Sequence, residues 1–379
     1  MKPQNILSAV ALGASRKFEI SGVGKTDWLA GALMAGLLTL WDYIARHTVF
    51  CLVPAFFIAG AMAALVKKEA ILRYFGAGVR PHLSYSVASV SGTVLAVCSC
   101  TILPLFQGIY KRGAGIGPAT AFLYSGPAIN ILAIVYTARV LGPALGAARA
   151  VAAVSLSVVV GGLMALLFRG GEGERRAGSA AAAPSAEGEE RPGWATLLFF
   201  VSLVAILVIG TSPLELWIRL SAIILLILVA SGLLIYHFTR DEVTDWGLET
   251  WDLAKKIFPV LLAGAFLVGV IAYFLPPESF RPYIGGNSLA SCLVGAVVGA
   301  LLYMPTLLEV PIVGTSLGYS QGVMGGGPAL ALLLAGPAVS LPSMLVLYRI
   351  LGLRKTTAYI AIVVLTSALA GFIYGMVGG

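Results

Sequence analysis

The chain contains itself. Residues 117–142, GPATAFLYSGPAINILAIVYTARVLG, align without a gap on residues 327–352, GPALALLLAGPAVSLPSMLVLYRILG, at a constant offset of 210, with 11 of the 26 positions identical. The shared residues are mostly those that punctuate a backbone: Gly117/Gly327, Pro118/Pro328, Gly126/Gly336, Pro127/Pro337, Arg139/Arg349 and Gly142/Gly352. Proline removes a backbone donor and clashes with the preceding turn, so a Gly-Pro step inside an apolar run interrupts a helix. A duplicated unit with a broken apolar helix is the arrangement that builds a polar site at the midplane of a membrane. The likeness continues upstream, where Pro54 matches Pro259, and Glu69, Tyr74 and Gly76 match Glu278, Tyr283 and Gly285.

Composition agrees with a membrane setting. Hydrophobic residues make up 59% of the chain and charged residues 11%, with a mean hydropathy of +0.94, which a soluble chain of this size does not sustain. Apolar blocks run from about Trp28 to Ile44, Thr48 to Val66, Ser84 to Tyr110, Gly115 to Ala138 and Leu141 to Phe168. A second series covers Trp194 to Ile209, Leu216 to Phe238, Ile257 to Leu275, Ser288 to Leu317, Gly327 to Ile350 and Thr356 to Val377. The expected fold is an all-α polytopic membrane protein. The short apolar run Ile6 to Ala14 reads as an interfacial segment and not as a cleaved leader. A net charge of +8 does not indicate a nucleic-acid partner, because the basic residues sit in short loops beside apolar blocks, where they set orientation in a bilayer.

Those basic residues select a topology. If the blocks at 84–110 and 288–325 enter and leave on one side as re-entrant hairpins, only Arg46, Arg139, Arg149, Arg219 and Arg281 of the 25 Lys and Arg residues lie outside. The reading is therefore about nine transmembrane helices plus two re-entrant hairpins with broken helices, forming two inverted-topology repeats. It places the N-terminus in the cytoplasm, the C-terminus outside and the protein in a bacterial cytoplasmic (inner) membrane. The expected divisions are an N-terminal cytoplasmic or interfacial segment (1–26), a first repeat (27–168), a flexible cytoplasmic linker (169–193), a connecting helix (194–215) and a second repeat (216–379). Irregular backbone at membrane depth is tolerated only where protein or a water-filled cavity surrounds it, so two hairpins facing two broken helices enclose a central site.

The candidate chemistry lies on the hairpins. The first reads AVCSCTILPLFQG, with Cys98, Ser99 and Cys100 just before Pro104, and its counterpart reads LYMPTLLEVPIVG. Two thiols one residue apart can present sulfur to one soft ion, Cu(I), Zn(II) or trivalent arsenic; the competing reading is that buried cysteine acts as a small hydrophobe. Glu309 lies deep in an apolar block with no basic residue within ten positions. A carboxylate there costs about 2.5–3.5 kcal/mol and ordinarily faces a polar pathway, which makes it the candidate for proton coupling; the alternative is a protonated side chain bonded to hairpin backbone. Tyr124, Ser125, Pro127 and Asn130 around the first break are candidates to line a substrate cavity, with helix–helix bonding the alternative for Asn130. Thr306, Gly336, Pro337 and Ser340 form the pseudo-symmetric wall. Cys51 and Cys292 read as core, and His47, His82 and His237 are too scattered for a metal cluster.

The run CSCTILPLFQGIYKRGAGIGPATAFLYSGPAINILAIVYTARVLG closely resembles the signature of the bacterial ArsP-type permease family, which includes organoarsenical efflux permeases. In that family a Cys-Ser-Cys precedes a proline, then a basic pair, then a broken helix with Pro-x-x-Asn; Cys98, Cys100, Pro104, Pro127 and Asn130 occupy those positions. The resemblance covers most of the chain and implies a permease without a cofactor. It further implies a small-molecule or metalloid substrate, with trivalent methylarsenicals held by Cys98 and Cys100. Two other readings stand beside it: a transporter of a sulfur-containing anion such as thiosulfate, using the half-helix N-termini for charge, and a membrane thiol–disulfide oxidoreductase cycling Cys98 and Cys100. No phosphate-binding P-loop occurs in the chain.

Overall fold

A computed structural model describes residues 27–45, 52–65, 81–95, 99–111, 113–169, 193–211, 215–274, 277–302 and 309–378. Every regular element among them is helical. The first half supplies α1 (Asp27–Tyr43), α2 (Val53–Ala64), α3 (Pro81–Leu95), α4 (Ser99–Lys111), α5 (Ile116–Ala128), α6 (Ile131–Val140) and α7 (Pro143–Leu167). Then come α8 (Gly193–Thr211), α9 (Leu216–His237) and the long α10 (Arg240–Phe274). The second half closes with α11 (Leu289–Leu301), the one-turn α12 (Glu309–Pro311), α13 (Gly326–Ala338), α14 (Leu341–Leu351) and α15 (Leu353–Val377). The N-terminal segment 1–26 and residues 170–192 of the linker lie outside the described residues.

Local chemistry sets the breaks. Pro127 and Pro337 each sit one residue before the end of α5 and α13, where a missing N–H and a clash with the preceding turn stop propagation. Asn130 restarts the chain as N-cap of α6, its side chain accepting from the Ala133 amide. α5 and α13 are thus each followed by a helix bent away from them by more than 40°. The start of α10 is fixed by a reciprocal capping box, in which Glu242 accepts from the Thr239 amide at 3.0 Å and Thr239 accepts from the Glu242 amide at 3.3 Å.

Packing repeats the duplication. α3, α5 and α7 pack mutually, and so do α11, α13 and α15. The α5–α7 crossing brings Gly161 against Gly117, where a Cβ would lie 2.7 Å from the Gly117 carbonyl oxygen and 2.8 Å from the Ala121 Cβ. The α13–α15 crossing uses the same columns 210 residues on, with Gly371 against Gly327 and Ala331. The halves also interlock: α4 of the first packs on α14 of the second, and α12 of the second packs on α6 of the first. α5, α7, α13 and α15 form the centre, through α5–α13 and α7–α15 contacts. The outer faces are apolar, with Trp217, Leu225, Ile235 and Tyr236 of α9 all more than half exposed, as expected of side chains facing lipid.

The chain has fewer self-sufficient spans than the sequence suggests. Among the described residues, four helices (143–167, 217–237, 240–271 and 353–377) are long and apolar enough to cross a membrane alone, or up to six if each bent pair is one span. The reading of about nine counted apolar runs, whereas the described parts of α1, α2, α8 and α11 contribute only shorter apolar helices. A run of apolar residues measures hydrophobicity but not the length over which one helix continues.

Candidate functional site

The centre holds a buried ion pair. Arg149 lies on α7, six residues after the helix-starting Pro143, and is fully buried. One terminal nitrogen, Nη2, donates to Glu309 Oε2 at 3.3 Å, and Nη1 donates to Thr137 Oγ1 at 2.8 Å. Thr137 in turn donates to the Ala133 carbonyl at 2.7 Å, one turn back on α6. Glu309, also fully buried, opens α12. Its carboxylate rests over the second helix break, and a Cβ added at Gly336 would stand 3.1 Å from Oε1. The pair therefore joins α7 of the first half to α12 of the second, beside the point where α13 is interrupted.

Unsatisfied polar atoms surround it. Arg149 Nε, Glu309 Oε1 and the hydroxyls of Tyr124, Tyr359 and Ser367 are buried without a hydrogen-bond partner among the described residues. Tyr124 on α5 interacts electrostatically with Arg149 and lies beside Ser367 on α15, and Tyr359 on α15 interacts with Tyr124. The Tyr124 and Ser367 hydroxyls approach each other outside hydrogen-bonding geometry. Buried polar groups in proteins are overwhelmingly satisfied, and each one left unpaired costs about 1–3 kcal/mol. An unpaired guanidinium Nε, an unpaired carboxylate oxygen and the unpaired Tyr124 hydroxyl beside them mark a place suited to a polar ligand.

Of the residues singled out in the sequence, the structure brings together Tyr124, Glu309 and Gly336. Ser125 is turned away, donating to the carbonyls of Ala88 on α3 and Phe122. Asn130 caps α6, and Pro127 and Pro337 end their helices. Ser340 exchanges a 2.8 Å hydrogen bond with Ser343. Ser99 and Cys100 form the first turn of α4, which packs on α5 and α14; Cys98 and Thr306 lie outside the described residues. Cys292 is a buried free thiol. Among the described residues no group of three or more His, Cys, Asp or Glu side chains gathers to hold a metal ion.

Arg149, Thr137, Tyr359 and Ser367 escaped the sequence reading. Arg149 was assigned to an outer loop by the count of basic residues, yet it lies inside the block from Leu141 to Phe168. The signal was available: one unpaired cation and one unpaired carboxylate, each costly in hydrocarbon, occupy opposite halves of the chain. Tyr359 stands at the repeat position of Arg149, 210 residues on.

Two further features flank the centre. At one end of the bundle Lys111, closing α4, bonds Glu249 at 2.9 Å and approaches Asp252 at 3.5 Å on α10, while Lys355 at the start of α15 donates to the Tyr110 hydroxyl at 3.2 Å. Towards the outside, an apolar hollow of about 380 Å³ between α2, α8, α9 and α10 is lined by Phe57, Leu203, Ile227, Leu234 and Trp246; it lacks the convergent polar groups that orient a solute.

Comparison with known proteins places these observations in a wider group. The family model ArsP, described as predicted permease, matches residues 33–376. The UPF0718 protein MJ0584 of Methanocaldococcus jannaschii is 42% identical over 354 residues, covering 89% of this chain and 94% of the relative. The UPF0718 protein YraQ of Escherichia coli is 26% identical over 291 residues, 76% of this chain and 66% of the relative. No solved structure matches the chain significantly.

Proposed function

The chain belongs to the ArsP-type predicted permease family, and from that premise we propose that it is a secondary-active, proton-coupled permease exporting a small thiophilic solute such as a trivalent methylarsenical. The cargo crosses at the junction of the two broken helices by alternating access of two inverted repeats, in a cytoplasmic membrane with the N-terminus inside. The observation that carries this reading is the Arg149–Glu309 pair spanning the two halves at 3.3 Å. A fully buried charge pair is costly to maintain against a well-packed apolar substitute, and intramembrane ionisable residues ordinarily mark a solute or proton path. Proton uptake by Glu309 removes the attraction that ties α7 to the second hairpin and biases the halves toward a different relative position. The reciprocal packing of α4 on α14 and α12 on α6 supports a motion in which each hairpin travels with the other half's broken helix. Cys98 and Cys100 supply the soft ligands.

The test is growth and everted-vesicle uptake in a sensitive bacterium, comparing arsenite, methylarsenite, antimonite and thiosulfate. Cys98→Ser and Cys100→Ser are expected to reach the membrane and lose methylarsenite resistance, and Glu309→Gln to lose the dependence of uptake on a proton gradient. Unaltered resistance in both cysteine variants would remove the thiol site; gradient-driven uptake surviving in Glu309→Gln would remove the coupling role.

A further inference from the structure

The Glu309 carboxylate occupies only part of what Arg149 offers. A guanidinium has five N–H donors in a planar fork, and here one nitrogen goes to Glu309, one to Thr137, and Nε has no partner among the described residues. The unpaired Tyr124 hydroxyl on α5 interacts with it, and the unpaired hydroxyls of Ser367 and Tyr359 on α15 adjoin Tyr124. Unused donors thus remain where the structure holds one carboxylate. That side chain lies on a helical segment that widens into a π-helical turn, Ile312–Ser316, directly after it.

We propose that Arg149 is a proton-gated anion site: Glu309 is a resident counter-ion that yields its place to an oxyanion group of the transported solute when it becomes protonated. This rests on the permease reading and narrows its thiophilic cargo to solutes that also carry a singly charged oxyanion group. Charge is balanced at each step. With Glu309 ionised the buried guanidinium is neutralised from within; with Glu309 protonated it would be an unpaired buried cation, a strongly unfavourable state that one bound anionic charge relieves. One proton therefore accompanies one negative charge. The groups facing the pair do not supply an alternative counter-ion: α5 and α15 present the neutral Tyr124 and Tyr359, α6 presents Thr137 while its Arg139 is exposed, and α13 presents the Gly336 break.

Equilibrium binding of sulfur-labelled 2-mercaptoethanesulfonate, a thiol joined to a singly charged sulfonate, to the purified full chain in detergent tests the site. Wild type is expected to bind at least roughly tenfold more tightly in acid than in alkali, and Glu309→Gln to bind equally well at both, because the amide mimics the protonated acid and leaves the guanidinium free. Arg149→Met should lose binding. The double variant Arg149→Met/Glu309→Gln removes both charges together, so it keeps its fold even where stranding one charge weakens the single variant, and it should also fail to bind; Arg149→Lys should bind more weakly because a point charge lacks the fork. Glu309→Gln binding no better than wild type in alkali, or the double variant binding as well as Glu309→Gln, overturns the proposal. Vesicles that take up methylarsenite with Glu309-dependent proton coupling, uncompeted by 2-mercaptoethanesulfonate, also overturn it while leaving the permease reading intact; vesicles that move neither solute overturn both.

Discussion

Removing the charges of Arg149 and Glu309 singly and together gives the sharpest test of the buried pair. At 3.3 Å and an effective permittivity of about 20 their mutual attraction is about 5 kcal/mol. Desolvation of several kcal/mol per ion offsets most of that gain, so the intact pair contributes little net stability, whereas removing one partner strands the other and costs about 3–5 kcal/mol. If the residues were independent, Arg149→Met/Glu309→Gln would cost roughly 6–10 kcal/mol, the sum of the singles. Because they form one unit with no other ionised partner among the described residues, the double variant should cost about 2 kcal/mol or less. The assay is reversible unfolding in mixed detergent micelles, repeated in acid and alkali. The Arg149→Met penalty should shrink in acid, where the stranded carboxylate accepts a proton, and the Glu309→Gln penalty should persist because a guanidinium keeps its charge. Additive single-variant penalties, or a pH response in Glu309→Gln equal to that in Arg149→Met, would refute the coupling.

Two further predictions concern the scaffold. Gly161→Ala places a Cβ 2.7 Å from a backbone oxygen of α5, whereas Gly162→Ala, one residue on, meets nothing within 4 Å; thermal unfolding in detergent should show a loss of about 1–3 kcal/mol for the first and no loss, or a gain of up to about 1 kcal/mol, for the second. Asn130→Ala should cost about 1 kcal/mol through the lost N-cap of α6, with Asn130→Ser recovering most of it in the same measurement.

The duplication was readable in the sequence because it is written in residues whose effect is local. Gly-Pro steps break a helix wherever they stand, so the positions of Pro127 and Pro337 fixed the ends of α5 and α13 without knowledge of their neighbours. The crossings were only half readable: Gly161 and Gly371 obey the same offset of 210, but which glycine each would meet depends on how helices cross, and the sequence does not state it. The charge pair was the least readable part. Its members are 160 residues apart, and a cation inside an apolar block looks like a loop residue until its partner is known. Glu309 stands out in the sequence because it lacks a nearby cation, whereas Arg149 sits close enough to Arg139 and to the start of its apolar block to pass for a boundary residue. Tyr359 and Ser367 carried no signal of their own, since one hydroxyl in an apolar helix can bond its own backbone.

The glycine crossings also limit how the molecule can deform. Where Gly161 meets Gly117 and Gly371 meets Gly327, main chain closely approaches main chain, and at the first crossing the Tyr85 hydroxyl also donates to the Gly161 carbonyl, so neither seam has room to slide. Each seam holds or separates as a whole. Each pair, α5 with α7 and α13 with α15, is therefore a stiff beam. Compliance is left to the joints between beams, α5 against α13 and α7 against α15, where side chains fill the gap, and to the bends that follow Pro127 and Pro337. If the halves move as proposed, they re-seat against each other at these joints without bending either beam, and the Arg149–Glu309 pair between α7 and α12 acts as the latch of one arrangement.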